Sequence, residues 1–355
     1  MHQNSVLGHE QVIERFAQSL KSNRLANTWL MVGPDGIGKR LTTMWLAKCM
    51  LCEKTPANEL VACKECSACQ QVDALTHPDL LLVEKPADKN LIPVELFIGT
   101  REKRMRAGLC HDIAMKPFRG GQRIAIIDDA DFLNQEGANC LLKTLEEPPA
   151  FAIIFLISSG EHRQLPTIRS RSQIVRFQSL PPEQIQEVLE KKALVPEGHS
   201  SRELAMACDG SLQLALKLAD PETLDFRRDW LEQLATLDPG ADDFFESIGT
   251  FVDAAGKDSA AKRLRLQLVA DLASRFYRHV MMQLCEQPVV ADETMARCVT
   301  IAAERWPGGD AETAAMCVER CGEVAGQIRA NANQALVIEA WLCDLGRLAR
   351  GEITV

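Results

Sequence analysis

The sequence predicts an α/β fold in which a parallel sheet is covered by helices and followed by an all-helical remainder. Three observations carry this. Short apolar runs alternate with helical stretches through residues 28–177, the glycine-rich turn GPDGIGKR at 33–40 joins the first run to a helix, and no strand pattern stands out after SLPPEQ at 179–184. Strand and helix alternate in parallel sheets because each crossover has to return the chain to the same end of the sheet, and a helix does so while covering a face. At 355 residues the chain is long enough for two or three domains, each with its own core.

Val12, Phe16, Ala17 and Leu20 recur at helical spacing and predict a first helix. TWLMV at 28–32 then reads as a buried strand entering the glycine turn, the strand–loop–helix context that a phosphate-binding loop requires. Further strands are predicted at DLLLVE (79–84), RIAIID (123–128), AIIFLIS (152–158) and SQIVRF (172–177). In LLKTLEEPP, Leu141, Leu142 and Leu145 share one helix face, and Pro148 and Pro149 stop that helix. EQIQEVLEKKAL and SLQLALKLA carry helical periodicity, and from about 222 onward everything reads as helix. The last of these, NQALVIEAWLCDLGRLAR, places Ile338, Leu342, Leu345 and Ala349 on one stripe, which suits either internal core or a subunit interface.

Apolar residues make up 46% and charged residues 25%, the balance of an ordinary soluble protein. MHQNSVLGHEQ holds no apolar signal core, and FAIIFLI at 151–157 is too short to cross a bilayer, so a cytoplasmic location without membrane contact is expected. A net charge of −9 gives no whole-molecule attraction to DNA or to an anionic membrane, so any nucleic-acid contact has to be local. The strongest local candidate is 101–123, with seven lysines or arginines against two acidic residues, but it has no interleaved aromatics and is expected to be a solvated helix face. Thirteen cysteines, an odd number, are better read as thiols and metal ligands than as a disulfide framework.

The glycine turn has specific chemistry. Gly33, Gly36 and Gly38 let backbone N–H groups face phosphate oxygens, Lys39 adds a positive charge, and the next residue of such a loop offers a hydroxyl to magnesium. Here that residue is Arg40, which has no lone pair for a metal and a charge that opposes one. Asp128, at the end of RIAIID, is placed to hold magnesium through water, and Asp129 stands where a hydrolytic site needs a longer glutamate. The expectation is a degenerate nucleotide site for ATP that holds magnesium poorly and does not hydrolyse. The plainer alternative is a glycine turn beside an acidic strand end.

Cys52, Cys63, Cys66 and Cys69 form the second constellation, the last three spaced two residues apart in CKECSAC. Paired CxxC turns present sulfurs at the bite of a tetrahedral site, and four thiolates leave no open position, so a structural zinc is expected. Cys49 is a candidate substitute for Cys52, and an iron–sulfur cluster is the weaker competitor.

A glycine loop, a four-cysteine insert directly after its helix, NCLLKTLEEPPAFAIIFLISS and then TIRSRS together resemble the AAA+ clamp-loader subunits of bacterial DNA polymerase III, densely over about residues 1–220. The resemblance implies an AAA+ P-loop domain over 1–178 with a zinc module at about 49–70, a small helical lid at 179–221 and a helical collar at 222–355 that joins five subunits into an open ring, so that interface use is expected for part of the carboxy-terminal apolar surface. It also implies that Arg171, in Ser170–Arg171–Ser172, matches the arginine finger of the family's serine–arginine–cysteine motif, with serine replacing cysteine. Ser158 or Ser159 matches the polar residue of sensor 1, whereas Gln213 stands where motor subunits carry the sensor 2 arginine. Arg40, Asp129 and Gln213 make three altered parts in one site. The implied role is therefore that of a delta-prime-like stator: a non-catalytic member of a complex with DNA-directed DNA polymerase (nucleotidyltransferase) activity. Its implied partners are the delta and gamma or tau subunits and, through them, the sliding clamp and primed DNA. A gamma/tau-type ATPase is the first alternative. A free-standing zinc-containing nucleic-acid-binding protein is the second, opposed by the acidic balance and the lack of stacking aromatics.

Overall fold

The computed structural model describes residues 8–22, 25–86, 89–119, 121–195, 197–238, 242–307, 310–330 and 332–352. Of MHQNSVLGHEQ, on which the reading of the amino terminus rests, residues 1–7 lie outside the described residues. The chain divides into two compact units, Met1–Gln184 with Gly210–Gln213 and Ile185–Asp209 with Leu214–Val355.

In the first unit, α1 (Glu10–Lys21) leads into β1 (Thr28–Val32), followed by α2 (Lys39–Leu51), α3 (Ser67–Asp73), β2 (Leu80–Val83), α4 (Glu95–Ile98), α5 (Leu109–Asp112), β3 (Arg123–Ile127), α6 (Gln135–Glu146), β4 (Ala152–Ser158), α7 (Pro166–Arg169) and β5 (Gln173–Arg176). All five expected strands are present within a residue of their predicted ends. They form one parallel sheet in the order β2-β3-β4-β1-β5.

β1, β3 and β4 are buried along their whole length, which is why they read as unbroken apolar runs. Side chains still alternate between faces. Trp29, Met31, Ile126 and Phe155 pack with Phe16 of α1 and Leu46 of α2 on one side, while Leu30, Ile127 and Leu156 pack with Phe97 of α4 and Leu141 and Leu145 of α6 on the other. Truncating a wholly buried Phe155 to alanine would cost about 3–5 kcal/mol by transfer and cavity terms together. Helix α6 ends at Glu146, just ahead of Pro148 and Pro149, as expected.

The segment 101–106 corrects one expectation. It is exposed throughout, but its only helical piece is a single 3-10 turn, Arg101–Lys103. The glycines decide this. Gly99 and Gly108 adopt φ +80 and +88, and a Cβ on Gly108 would stand 2.7 Å from the Gly99 nitrogen, so the ends of the loop touch and no helix continues through it.

In the second unit, α9 (Ser201–Ala207), α11 (Pro221–Ala235), α12 (Asp242–Asp253), α13 (Ser259–Leu284), α14 (Glu293–Arg305), α15 (Ala311–Arg329) and α16 (Gln334–Ala349) are helical; α8 (Pro182–Lys191) and α10 (Leu212–Leu218) begin in the first unit and end in this one. Trp230 lies edge-on to Trp341 at 5.9 Å, and Phe226 stacks on Phe251 at 4.0 Å. Arg227 donates to both carboxylate oxygens of Asp292, at 3.2 and 2.5 Å, as a buried pair. Ile338, Leu342, Leu345 and Ala349 are all buried within this chain. Of the two readings of that stripe, core is the one the structure adopts. Among the described residues, no helix is long and apolar enough to cross a membrane.

Candidate functional site: the glycine loop, its acidic neighbours and the cysteine cluster

The site lies at the carboxyl ends of the parallel strands, where open α/β sheets present loops rather than ladder. Val32 pairs with Ser158, Val83 with Ile127, and Ile127 with Leu156, so the chain leaves β1, β2, β3 and β4 side by side. The glycine loop follows β1, Glu84 follows β2, Asp128 follows β3, and Ser158 closes β4.

Gly36 and Gly38 take φ +78 and +101, in the left-handed region that favours glycine. Lys39 is buried at 6% exposure, and its Nζ donates to Gly33 O at 2.5 Å and to Pro34 O at 2.7 Å. The loop is also covered: Gln213 N donates to Gly36 O at 3.1 Å, and a Cβ on Gly36 would come 2.2 Å from Ser211 Oγ. Gln213 thus serves the loop through its backbone, a contact its sensor 2 position in the sequence did not suggest. His9 supports the loop from its other side, with Nε2 2.6 Å from Ile37 O and its ring edge-on to Phe177 at 4.8 Å. Burial lowers the His9 pKa, an effect the Ile37 carbonyl only partly offsets. Because a carbonyl can only accept, Nε2 carries the proton. Its position in GHEQ held no signal for this role.

Arg40 decides the chemistry of the metal position. Its Nη1 donates to Asp128 Oδ2 and to Glu84 Oε2, each at 2.7 Å. Partial burial alone would lower the Arg40 pKa, but the hydrogen bonds and charges of Glu84 and Asp128 outweigh it and raise the guanidinium above its ordinary value. The other Asp128 oxygen accepts from Asp129 N at 3.0 Å. The left-handed glycines give the turn the shape of an anion-binding loop, but Lys39 Nζ is spent on Gly33 O, Pro34 O and Asp35 Oδ1, and the donor set for magnesium does not fit: a cation already spans the carboxylates. Glu84 is 44 residues from Arg40 and was missed from the sequence.

Ser158 is 2% exposed, and its Oγ donates to Asp131 Oδ1 at 2.5 Å. Ser159 N and Gln164 Nε2 donate to the same carboxylate at 2.8 and 3.1 Å. Asp131 is therefore the group that orients both serine positions. Arg171 follows α7, with its side chain 33% exposed. Nη2 donates to Glu146 Oε1 at 2.7 Å and Nη1 to Thr167 O at 2.9 Å, so the guanidinium is held at the surface by the last residue of α6.

Cys52, Cys63, Cys66 and Cys69 come together, with all four Sγ atoms within 4.8 Å of one another. Cys52–Cys66 and Cys63–Cys69 are each 3.9 Å apart. Tetrahedral zinc with Zn–S near 2.3 Å requires sulfurs about 3.8 Å apart, so the set fits a metal ion of that size. Cys66 N donates to Cys63 Sγ at 3.3 Å and Cys69 N to Cys66 Sγ at 3.4 Å, which aims the sulfurs inward and caps α3. Cys49 lies instead in the apolar layer beneath the sheet, where burial pushes its thiol up to about 12, so it is no substitute for Cys52. Asp79, 1% exposed, accepts from Phe118 N and Arg119 N at 2.7 and 3.1 Å, and Arg119 reaches Glu53 and Gln71 beside the cysteine cluster.

Residues 8–181 match the family model described as DNA polymerase III, delta subunit. The chain is 38% identical over 147 residues to DNA polymerase III subunit delta' of Pseudomonas aeruginosa, covering 41% of each chain. It is 30% identical over 171 residues to the delta' subunit of Escherichia coli, covering 48% of each. Over 305 residues it is 28% identical to DNA polymerase III subunit tau of Salmonella typhimurium, covering 81% of this chain and 45% of tau. The chain thus spans under half the length of these curated relatives. A gamma subunit-related protein of Thermotoga maritima aligns over 95% of this chain and 99% of its own, at 16% identity and a TM-score of 0.39.

Proposed function

From the match of residues 8–181 to the family model described as DNA polymerase III, delta subunit, and the likeness to curated delta' subunits, we propose that this chain is a clamp-loader subunit of the delta-prime stator type. In this reading it assembles with delta and gamma or tau subunits in the cytoplasm and helps place the sliding clamp on primed DNA. It lends Arg171 to the nucleotide of a neighbouring subunit and does not turn over ATP itself. The division into a nucleotide-binding-like domain at 1–178, a lid at 179–221 and a collar at 222–355 belongs to the same proposal. So does a structural zinc on Cys52, Cys63, Cys66 and Cys69, which would brace the end of α2 against α3.

The observation that supports the finger role is the placement of Arg171. It keeps an accessible guanidinium on a short turn after a helix, held by a surface carboxylate rather than buried in a core pair. A guanidinium reaching across an interface neutralises charge that develops on a transferred phosphoryl group, an effect of about a thousandfold or more in related nucleotidases. The test is reconstitution with cognate motor subunits, reading DNA-stimulated ATP turnover and clamp loading together. Arg171→Ala is expected to remove the increase in turnover that this chain brings while leaving assembly intact. Unchanged turnover in the assembled variant complex would reject the role. Steady turnover by the isolated chain, abolished by Lys39→Ala, would instead identify a gamma/tau-type motor.

A further inference from the structure

We propose that the Arg40 guanidinium is the resident cation of the glycine-loop site, occupying the place between the loop and Asp128 that a divalent cation would need, so that this chain takes up no magnesium there.

Three features of the site support this. Glu84 and Asp128 emerge together because β2 and β3 are neighbours in register, Val83 beside Ile127, and two carboxylates brought that close need a counter-charge. One nitrogen of Arg40 supplies it to both, at 2.7 Å each. Both Asp128 carboxylate oxygens are also engaged, Oδ2 by Arg40 and Oδ1 by the Asp129 amide, and its side chain is only 14% exposed. A metal ion would have to displace a cation that stays protonated at any working pH and then sit beside it. Arg40 is the first residue after Lys39 in α2, so the helix fixes where its side chain leaves the backbone, within reach of Glu84 and Asp128. The proposal concerns this chain alone and stands or falls apart from the role of Arg171 in a complex.

Manganese alone, without nucleotide, is the probe, read by electron paramagnetic resonance on the zinc-loaded full chain. Thermal melting with and without millimolar magnesium accompanies it. The wild-type chain is expected to bind no manganese that Asp128→Asn removes, and its melting is expected not to respond to magnesium. Arg40→Thr removes the charge and offers a hydroxyl; it is expected to bind manganese roughly tenfold or more tightly than wild type, and to lose that binding in Arg40→Thr/Asp128→Asn. Arg40→Lys keeps a cation and is expected to exclude manganese as wild type does. The proposal is overturned if the wild-type chain binds manganese in a manner that Asp128→Asn abolishes, a measurement that needs no Arg40 variant to fold. It is equally overturned if folded Arg40→Thr gains no metal.

Discussion

Replacing Glu146 by glutamine asks whether Arg171 is only held in place or is part of a larger assembly at the surface. Arg171 Nη2 donates to Glu146 Oε1 at 2.7 Å, while Nη1 keeps Thr167 O at 2.9 Å and Ser170 Oγ at 3.3 Å. The two side chains of the ion pair are 33% and 49% exposed, so solvent screens it and it contributes about 0.2–1 kcal/mol. Glutamine keeps the shape and loses the charge. If Arg171 has to leave Glu146 to reach a neighbouring nucleotide, the variant raises the share of free guanidinium by at most about fivefold. In the proposed finger role Arg171→Ala would remove a group worth about a thousandfold, so the two variants would differ in sign as well as size. The assay is steady-state ATP turnover of the reconstituted complex at low and high salt. Glu146→Gln is expected to exceed wild type at low salt and to converge on it at high salt, where the wild-type pair is already screened. A fall as deep as that of Arg171→Ala would refute the reasoning, because Glu146 would then act in the site rather than hold the arginine back.

Gly36→Ala places a side chain at φ +78 and 2.2 Å from Ser211 Oγ; the handedness cost alone is expected to lower stability by about 1–2 kcal/mol, with faster hydrogen exchange at the Gln213 amide, and an unchanged melting curve would contradict the packing described. Elemental analysis is expected to find one zinc per chain, absent from Cys66→Ser and retained in Cys49→Ser, since only the former sulfur belongs to the cluster. Asp209 is partly buried, which by itself raises its carboxyl, but the hydrogen bond from His279 and the charges of Arg275 and Arg278 hold it below the usual carboxylate range. A depressed folded-state value contributes stability above the unfolded pKa and loses it as pH falls, so Asp209→Asn should be less stable than wild type at neutral pH, with the gap closing below about pH 4 in denaturant melts. A gap that stays constant with pH would show that charge is not what Asp209 contributes.

The unbroken apolar runs TWLMV and AIIFLIS announced their strands because both faces of β1 and β4 are buried, so burial and sequence coincide residue by residue. The cysteine cluster was legible for a related reason, since three of its four sulfurs sit within seven residues and need only local turns to meet. The stretch 101–106 failed because charge reports solvent exposure and not backbone shape, and the backbone there is governed by Gly99 and Gly108. Residue identity alone was enough to show that Arg40 could not ligate magnesium. What Arg40 does instead depended on the sheet order, which brings Glu84 and Asp128 to it from 44 and 88 residues away. The same holds for Glu146 against Arg171 and His9 against Ile37. Local pattern encodes which segments are buried and which turns can close. Pairing between charges distant in sequence follows only from the packed sheet, because a single exposed or half-buried polar residue leaves no periodic trace of its partner.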